Sequence, residues 1–184
     1  SEYRGDFSLT GGEFQDFHRG RLEVLAESGA DIIAFETIPS YEEAAAIAAL
    51  MDGYPHIEYW ISFTAKDAVN ISCGRTFSDC MEMLRGRKNL AAAGINCSDP
   101  SLLSPLLESA AGVADIPFIV YPNSGEMYCT EDHMWHGASR AGRIASHARD
   151  WLRLGARIIG GCCRTGPADT RTFFKERKSI MKEL

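Results

Sequence analysis

The sequence predicts an α/β fold built on a parallel sheet, and three observations carry that expectation. Five short runs rich in β-branched and aromatic residues alternate with helical patterns along the chain. The runs are apolar at nearly every position, as strands covered on both faces are. A faint internal repeat, Gly29-Ala30-Asp31-Ile32-Ile33 and Gly155-Ala156-Arg157-Ile158-Ile159, begins a strand after a helix in both copies. Two architectures fit: an open doubly wound sheet, or part of a (β/α)8 barrel. A complete barrel takes ~250 residues, more than the 184 present.

Taken in order, residues 1–12 are polar and Gly-rich and read as a loop. Residues 13–28 place Phe14, Phe17, Leu22 and Leu25 near helical spacing, with Gly29 as the stop. Asp31 to Phe35 is a short strand ending in Glu36. Ser40-Tyr41-Glu42-Glu43 forms a capping box for an Ala-rich helix that stops at Gly53. Ile57 to Thr64 is the second strand, and a polar loop through Ser72-Cys73-Gly74 leads to a short helix near 77–85. Leu90 to Asn96 is the third strand, followed at once by Cys97. Asp99 caps the next helix, with Pro100 at its first position. Phe118 to Tyr121 is the fourth strand, closed by Pro122-Asn123-Ser124-Gly125. A long polar loop runs from Glu126 to about Gly137. A helix from about Ser139 to Leu154 carries Ile144, Ala148 and Trp151 on one face, and Gly155 ends it. The fifth strand runs into Gly160-Gly161-Cys162-Cys163, and a last helix carries Phe173, Phe174 and Ile180.

Composition narrows the function classes. Hydrophobic residues make up 45% of the chain, enough for one domain with a sizeable core, and the net charge is −6. No basic stripe marks a nucleic-acid partner, and no apolar run approaches the ~20 residues that span a bilayer. The start shows no signal-peptide pattern. It also lacks Met, so the reading frame is expected to extend upstream of Ser1. The six cysteines are not spaced as a secreted disulfide framework, which points to a reducing cytoplasm.

If all strands are parallel, their carboxyl ends gather at one rim, where α/β folds bind ligands. Those ends carry Glu36, Thr64, Cys97, Asn123 and the pair Cys162 and Cys163. The cysteine pair has three readings: buried thiols acting as small hydrophobes, a strained vicinal disulfide, or two ligands of a metal site. Two thiolates do not fill a tetrahedral shell. With Cys97 the rim holds three thiols, the protein share of a zinc site with one open position. A substrate thiol in that position would be deprotonated at neutral pH and become a nucleophile. Glu36 has its own bland reading, a carboxylate favouring the start of the following helix, and Pro122-Asn123-Ser124-Gly125 is turn chemistry in its own right. Cys73, Cys80 and Cys129 match no ligand position, and His133 and His136 read as surface residues of the polar loop. Trp135 either covers the pocket or packs the loop.

Five segments carry a resemblance to a known family: Glu2-Tyr3-Arg4-Gly5-Asp6, Phe35-Glu36-Thr37-Ile38-Pro39, Gly94-Ile95-Asn96-Cys97, Tyr121-Pro122-Asn123-Ser124-Gly125-Glu126 and Gly160-Gly161-Cys162-Cys163-Arg164-Thr165. In this order they resemble the zinc-dependent homocysteine S-methyltransferases that use S-methylmethionine or S-adenosylmethionine. Betaine–homocysteine methyltransferase and the homocysteine domain of methionine synthase are more distant relatives of that family. The resemblance covers the whole chain, residues 1–184, as a single domain. It implies a (β/α)8 barrel of which this chain holds the last five β/α units, the first three having no counterpart here. It implies Cys97, Cys162 and Cys163 as zinc ligands and catalytic residues, Glu36 as the partner of the homocysteine ammonium, and Asn123 as a substrate-site residue able to offer its amide oxygen to zinc. The implied reaction is methyl transfer from a small sulfonium donor to homocysteine, giving methionine. The rivals are a non-catalytic zinc-binding or redox-active fragment and a methyltransferase with another thiol acceptor. Self-association through open sheet edges is a further expectation.

Overall fold

The computed structural model describes residues 3–129, 131–139 and 144–182, without the side chains of 178, 181 and 182. Glu2 of the first family segment and positions 140–143 of the expected fifth helix lie outside the described residues. The elements follow as α1 (Gly11–Ala26), β1 (Ile32–Ile38), α2 (Tyr41–Met51), β2 (Glu58–Phe63), α3 (Phe77–Leu84), β3 (Leu90–Asn96), α4 (Pro100–Ala110), β4 (Phe118–Tyr121), β5 (Met127–Cys129), β6 (Met134–His136), α5 (Ile144–Arg153), β7 (Ala156–Ile159) and α6 (Pro167–Lys182).

Local chemistry sets the helix starts. Thr10 accepts from the Glu13 amide at 3.3 Å while Glu13 accepts from the Thr10 amide at 2.8 Å. This reciprocal box lets α1 begin at Gly11, two residues before the periodic run, in place of the loop expected through residue 12. Ser40, Thr76 and Asp99 cap α2, α3 and α4 by accepting a backbone amide, without a return bond. The capping box expected at Ser40 is only half formed, because the Glu43 carboxylate bonds His18 at 3.0 Å instead. Only Phe14 and Leu22 of α1 are buried; Phe17 and Leu25 face outward.

Five strands form one parallel sheet in the order β1-β2-β3-β4-β7. The order follows the chain and nowhere reverses, whereas a doubly wound sheet has such a reversal. Consecutive helices pack against one another in a single row from α1 to α6. Ile33, Phe35, Ile38, Tyr59, Ile61 and Phe63 join the core under that row. The sheet leaves β1 and β7 as its two edges, and the other face is open there: Ala34 and Glu36 of β1 and Arg157 and Ile158 of β7 are exposed. The polar loop expected from Glu126 to Gly137 instead holds an antiparallel hairpin, with Tyr128 opposite Trp135 and their rings 5.3 Å apart. Three-residue strands are too short to show a period-two pattern, so pairing and ring contact form them rather than local propensity.

Gly94 marks the tightest place in the sheet. A Cβ added there would lie 1.7 Å from the Ile119 carbonyl oxygen and 2.9 Å from the Ile119 nitrogen, both backbone atoms of β4. The clash cannot be relieved by a side-chain rotation. Gly94→Ala is therefore expected to destabilise the fold by about 3 kcal/mol or more. Urea unfolding followed by circular dichroism checks this, and an unchanged midpoint would remove the close-approach argument.

Candidate metal and substrate site

The parallel strands deliver Glu36, Thr64, Cys97, Asn123, Cys162 and Cys163 to the same rim. Loop-to-loop hydrogen bonds then draw the thiols together. The Cys162 amide donates to the Pro122 carbonyl at 2.8 Å, the Ser124 amide donates to the Cys163 carbonyl at 3.1 Å, and the Cys97 amide donates to the Tyr121 carbonyl at 3.0 Å. The ends of β3, β4 and β7 are thereby laced side by side. Thr165 closes the cysteine turn from below, its hydroxyl donating to the Cys162 carbonyl at 2.7 Å. Gly161 is needed there, because a Cβ would stand 2.3 Å from that hydroxyl oxygen.

The result is a three-sulfur group. The ligand atoms of Cys97, Cys162 and Cys163 lie within 4.8 Å of one another, and the Cys97 and Cys163 sulfurs are 3.3 Å apart. Sulfurs on ~2.3 Å arms around a tetrahedral ion stand about 3.8 Å apart, so the donor set fits a thiophilic metal once the Cys97 and Cys163 sulfurs move apart slightly. Cys97 is buried, Cys162 half-buried and Cys163 exposed, so the group is open to solvent on one side. Hydrogen bonding from the Cys162 thiol pulls Cys97 down to about 5; the Tyr3 hydroxyl, 3.1 Å away, and Cys163 add to this against the opposing cost of burial. Cys162 is pushed up as the partner that keeps its proton. One sulfur of the group is thus poised as a thiolate, the ligand form.

Asn123 is buried beside this group. Its side-chain nitrogen donates to the Cys97 carbonyl at 3.2 Å and its oxygen accepts from the Gly125 amide at 2.8 Å. Glu36 stands on the same rim but is not part of the thiol group. It lies beside the Tyr121 hydroxyl, which burial and the Glu36 carboxylate together push above the usual phenol range. That hydroxyl also meets Ser62 Oγ at 2.5 Å and accepts from Trp60 at 3.2 Å. Thr64, at the same rim, bonds Ser72 at 2.7 Å and is not part of the thiol group.

Sequence reasoning missed the residues that hold the site in shape. Asn96, fully buried, accepts from the Thr37 amide at 2.9 Å and donates to the Thr37 hydroxyl at 2.8 Å. Thr37 has φ 63°, Cys97 φ 45° and Arg164 φ 65°. Left-handed backbone at non-glycine residues is strained, most of all at a β-branched one, and it gathers at functional sites. Asn96 is the clamp that keeps Thr37 so bent and Glu36 turned to the rim. Arg164 pairs with Glu126 at 3.3 Å, and Glu126 also accepts from Ser124 at 2.6 Å, which holds its carboxyl below the usual range. The motif segments contain Asn96, Glu126 and Arg164, but only the tertiary contacts assign them partners. Cys80 is a fully buried thiol pushed upward by desolvation. Cys129, expected to stand alone, comes together with Asp132 and His136 in the hairpin, their ligand atoms within 4.8 Å of one another.

The fold and the site define an α/β protein with a three-thiol group at the carboxyl edge of a parallel sheet. Residues 1–176 match the family model for homocysteine S-methyltransferase, and the chain belongs to that family. It is 46% identical over 180 residues to "Homocysteine S-methyltransferase YbgG" of Bacillus subtilis, covering 98% of this chain and 57% of that protein. It is 42% identical over 180 residues to "Selenocysteine Se-methyltransferase" of Brassica oleracea, covering 95% and 52%. The metallated form of the Escherichia coli homocysteine methyltransferase MmuM superposes with a TM-score of 0.82 at 38% identity, covering 96% of this chain and 55% of that one. The chain therefore spans about half the length of the curated relatives it matches.

Proposed function

We propose that this chain is the metal- and homocysteine-binding part of a zinc-dependent homocysteine S-methyltransferase, five β/α units of a (β/α)8 barrel. The observation that carries the reading is the three-sulfur group of Cys97, Cys162 and Cys163, in a family whose E. coli member exists in a metallated form. Three thiolates favour zinc. When bound, zinc supplies a Lewis acid that lowers the pKa of an acceptor thiol and fixes its place. In this reading the acceptor is homocysteine and the donor is S-methylmethionine or S-adenosylmethionine. The acceptor thiol gives up its proton to solvent, to which the site is open, before attack, so no side chain here needs to act as a base. Its sulfur then forms a bond to the donor methyl carbon as the carbon–sulfonium bond breaks, and the donor leaves as a neutral thioether. Cytoplasm, with its reduced thiols, is the matching compartment.

The chain's own groups bind and orient. Glu36, fixed by the Asn96–Thr37 clamp, receives the acceptor ammonium. Tyr121, held by Ser62 and Trp60, lines the open face beside it. Asn123 anchors the Cys97 backbone and forms part of the substrate wall. Metal analysis of the complete polypeptide together with a methyl-transfer assay tests the reading. One zinc with homocysteine-dependent transfer is expected. Metal-bound but inert protein, or a metal-free Cys162–Cys163 disulfide as its resting form, would overturn it. The likeness to a selenocysteine methyltransferase favours a second reading of the acceptor, another thiol or selenol, which the same assay resolves by acceptor competition.

Glu36→Gln is expected to raise the homocysteine KM by about tenfold or more, since a charged hydrogen bond is worth roughly 1.5–3 kcal/mol. Zinc content should stay unchanged, because Glu36 is outside the thiol group. A homocysteine KM equal to that of the unsubstituted protein would take Glu36 out of the site.

A further inference from the structure

Beside the thiol group lies a cavity of about 460 Å³ that reaches Cys97 and carries the aromatic rings of Tyr3, Tyr128 and Trp135. Asp99 and Glu126 also line it, and among the described residues no Lys, Arg or His does. Both carboxylates have partners: Asp99 caps α4, and Glu126 accepts from Ser124 and Arg164. With Glu126 neutralised by Arg164, Asp99 is the charge on the wall, and the ring faces remain the surface available to a ligand. Glu36 is absent from this lining and opens instead on a separate hollow with Thr37 and His18. The acceptor's ammonium contact and this aromatic cavity therefore lie in different places around the thiols.

In-line displacement sets the acceptor sulfur, the methyl carbon and the donor sulfur in one row, so acceptor and donor reach the reacting carbon from opposite sides. A sulfonium is a soft cation with no proton to donate. It cannot be gripped by a hydrogen bond at its charged atom, and aromatic faces are the groups that attract such a charge. Trp is the strongest of these, and Trp135 is held against Tyr128 at a ring distance of 5.3 Å by β5–β6 pairing. We propose that this cavity receives the methyl-sulfonium donor, with the Trp135 ring as its main cation contact. The proposal rests on the methyltransferase reading above.

The test is steady-state kinetics of the complete, zinc-loaded polypeptide, varying donor and homocysteine in turn, with S-methylmethionine and S-adenosylmethionine as alternative donors. Trp135→Leu keeps apolar bulk and removes the π face. It is expected to raise the donor KM by about tenfold and leave the homocysteine KM within about twofold. Trp135→Phe should recover most of the loss. An unchanged donor KM in Trp135→Leu overturns the proposal, as does an equal rise in both KM values, which marks a structural role. If the unsubstituted protein moves no methyl group from either sulfonium to homocysteine, the functional reading itself fails, and that outcome is distinct from the other two.

Discussion

Replacing Cys97 by Ala in the complete polypeptide is expected to weaken zinc binding about a hundredfold and abolish methyl transfer. Cys97 is the only buried thiol of the three, it bonds both neighbours and Tyr3, and its backbone is held by Tyr121 and Asn123. Zinc binding by thiolate-rich sites is worth roughly 10–16 kcal/mol in all. Shared over four ligands, one sulfur accounts for about 3 kcal/mol, or about two orders of magnitude in affinity. The acceptor thiol then loses its activation as well as its position. Cys162→Ala and Cys163→Ala should behave alike. Cys80→Ala is the control: its thiol is buried in the core, so it should cost stability and leave zinc stoichiometry intact. Metal content by mass spectrometry and a homocysteine methylation assay read all four. Full zinc and full turnover in Cys97→Ala would sink the assignment.

The 184-residue chain on its own is expected to self-associate and to lack normal turnover. Among the described residues both β1 and β7 end the sheet without a neighbour, and each presents a row of backbone donors and acceptors that another chain can pair with. Exposed apolar side chains flank those edges: Ile158 on β7, Val24 and Phe17 on α1, and Phe174 on α6. In the barrel reading, three further β/α units cover these surfaces and supply three rim loops. Without them water reaches the thiol group freely and the substrates are held from one side. Lost positioning alone costs orders of magnitude in rate. Sedimentation of the 184-residue chain with a parallel methylation assay checks both expectations. A stable monomer with full turnover would refute the barrel-sector reading.

Much of the fold was legible because its signals are local. β3 and β4 fall where apolar runs meet turn residues, and Ser40 and Asp99 cap the helices whose starts they mark. The rim itself was legible too, since parallel strands must place their carboxyl ends together. Cys97, Cys162 and Cys163 could be read as one group from that rule and from the family segments.

What the tertiary structure alone decided is everything that depends on distant partners. Strand β1 continues through Thr37 to Ile38, past the predicted end at Glu36, because Asn96, 59 positions away, clamps the bent backbone. Tyr3 meets Cys97 across 94 positions, and no periodicity records such a contact. The β5–β6 hairpin and the Cys129, Asp132 and His136 group arise from pairing between three-residue strands, below the length at which a pattern can be seen. The strand order was open as well, since alternating helices and strands fit sheets wound once or twice; only the pairing of the strands, with the helices packed in one row, set it. Side-chain period and capping are written in neighbouring residues, so the sequence alone determined the five parallel strands, most of the helices and the rim. The side chains that hold the site in shape come from separate loops, and they meet only once the core has fixed the spacing of the strands.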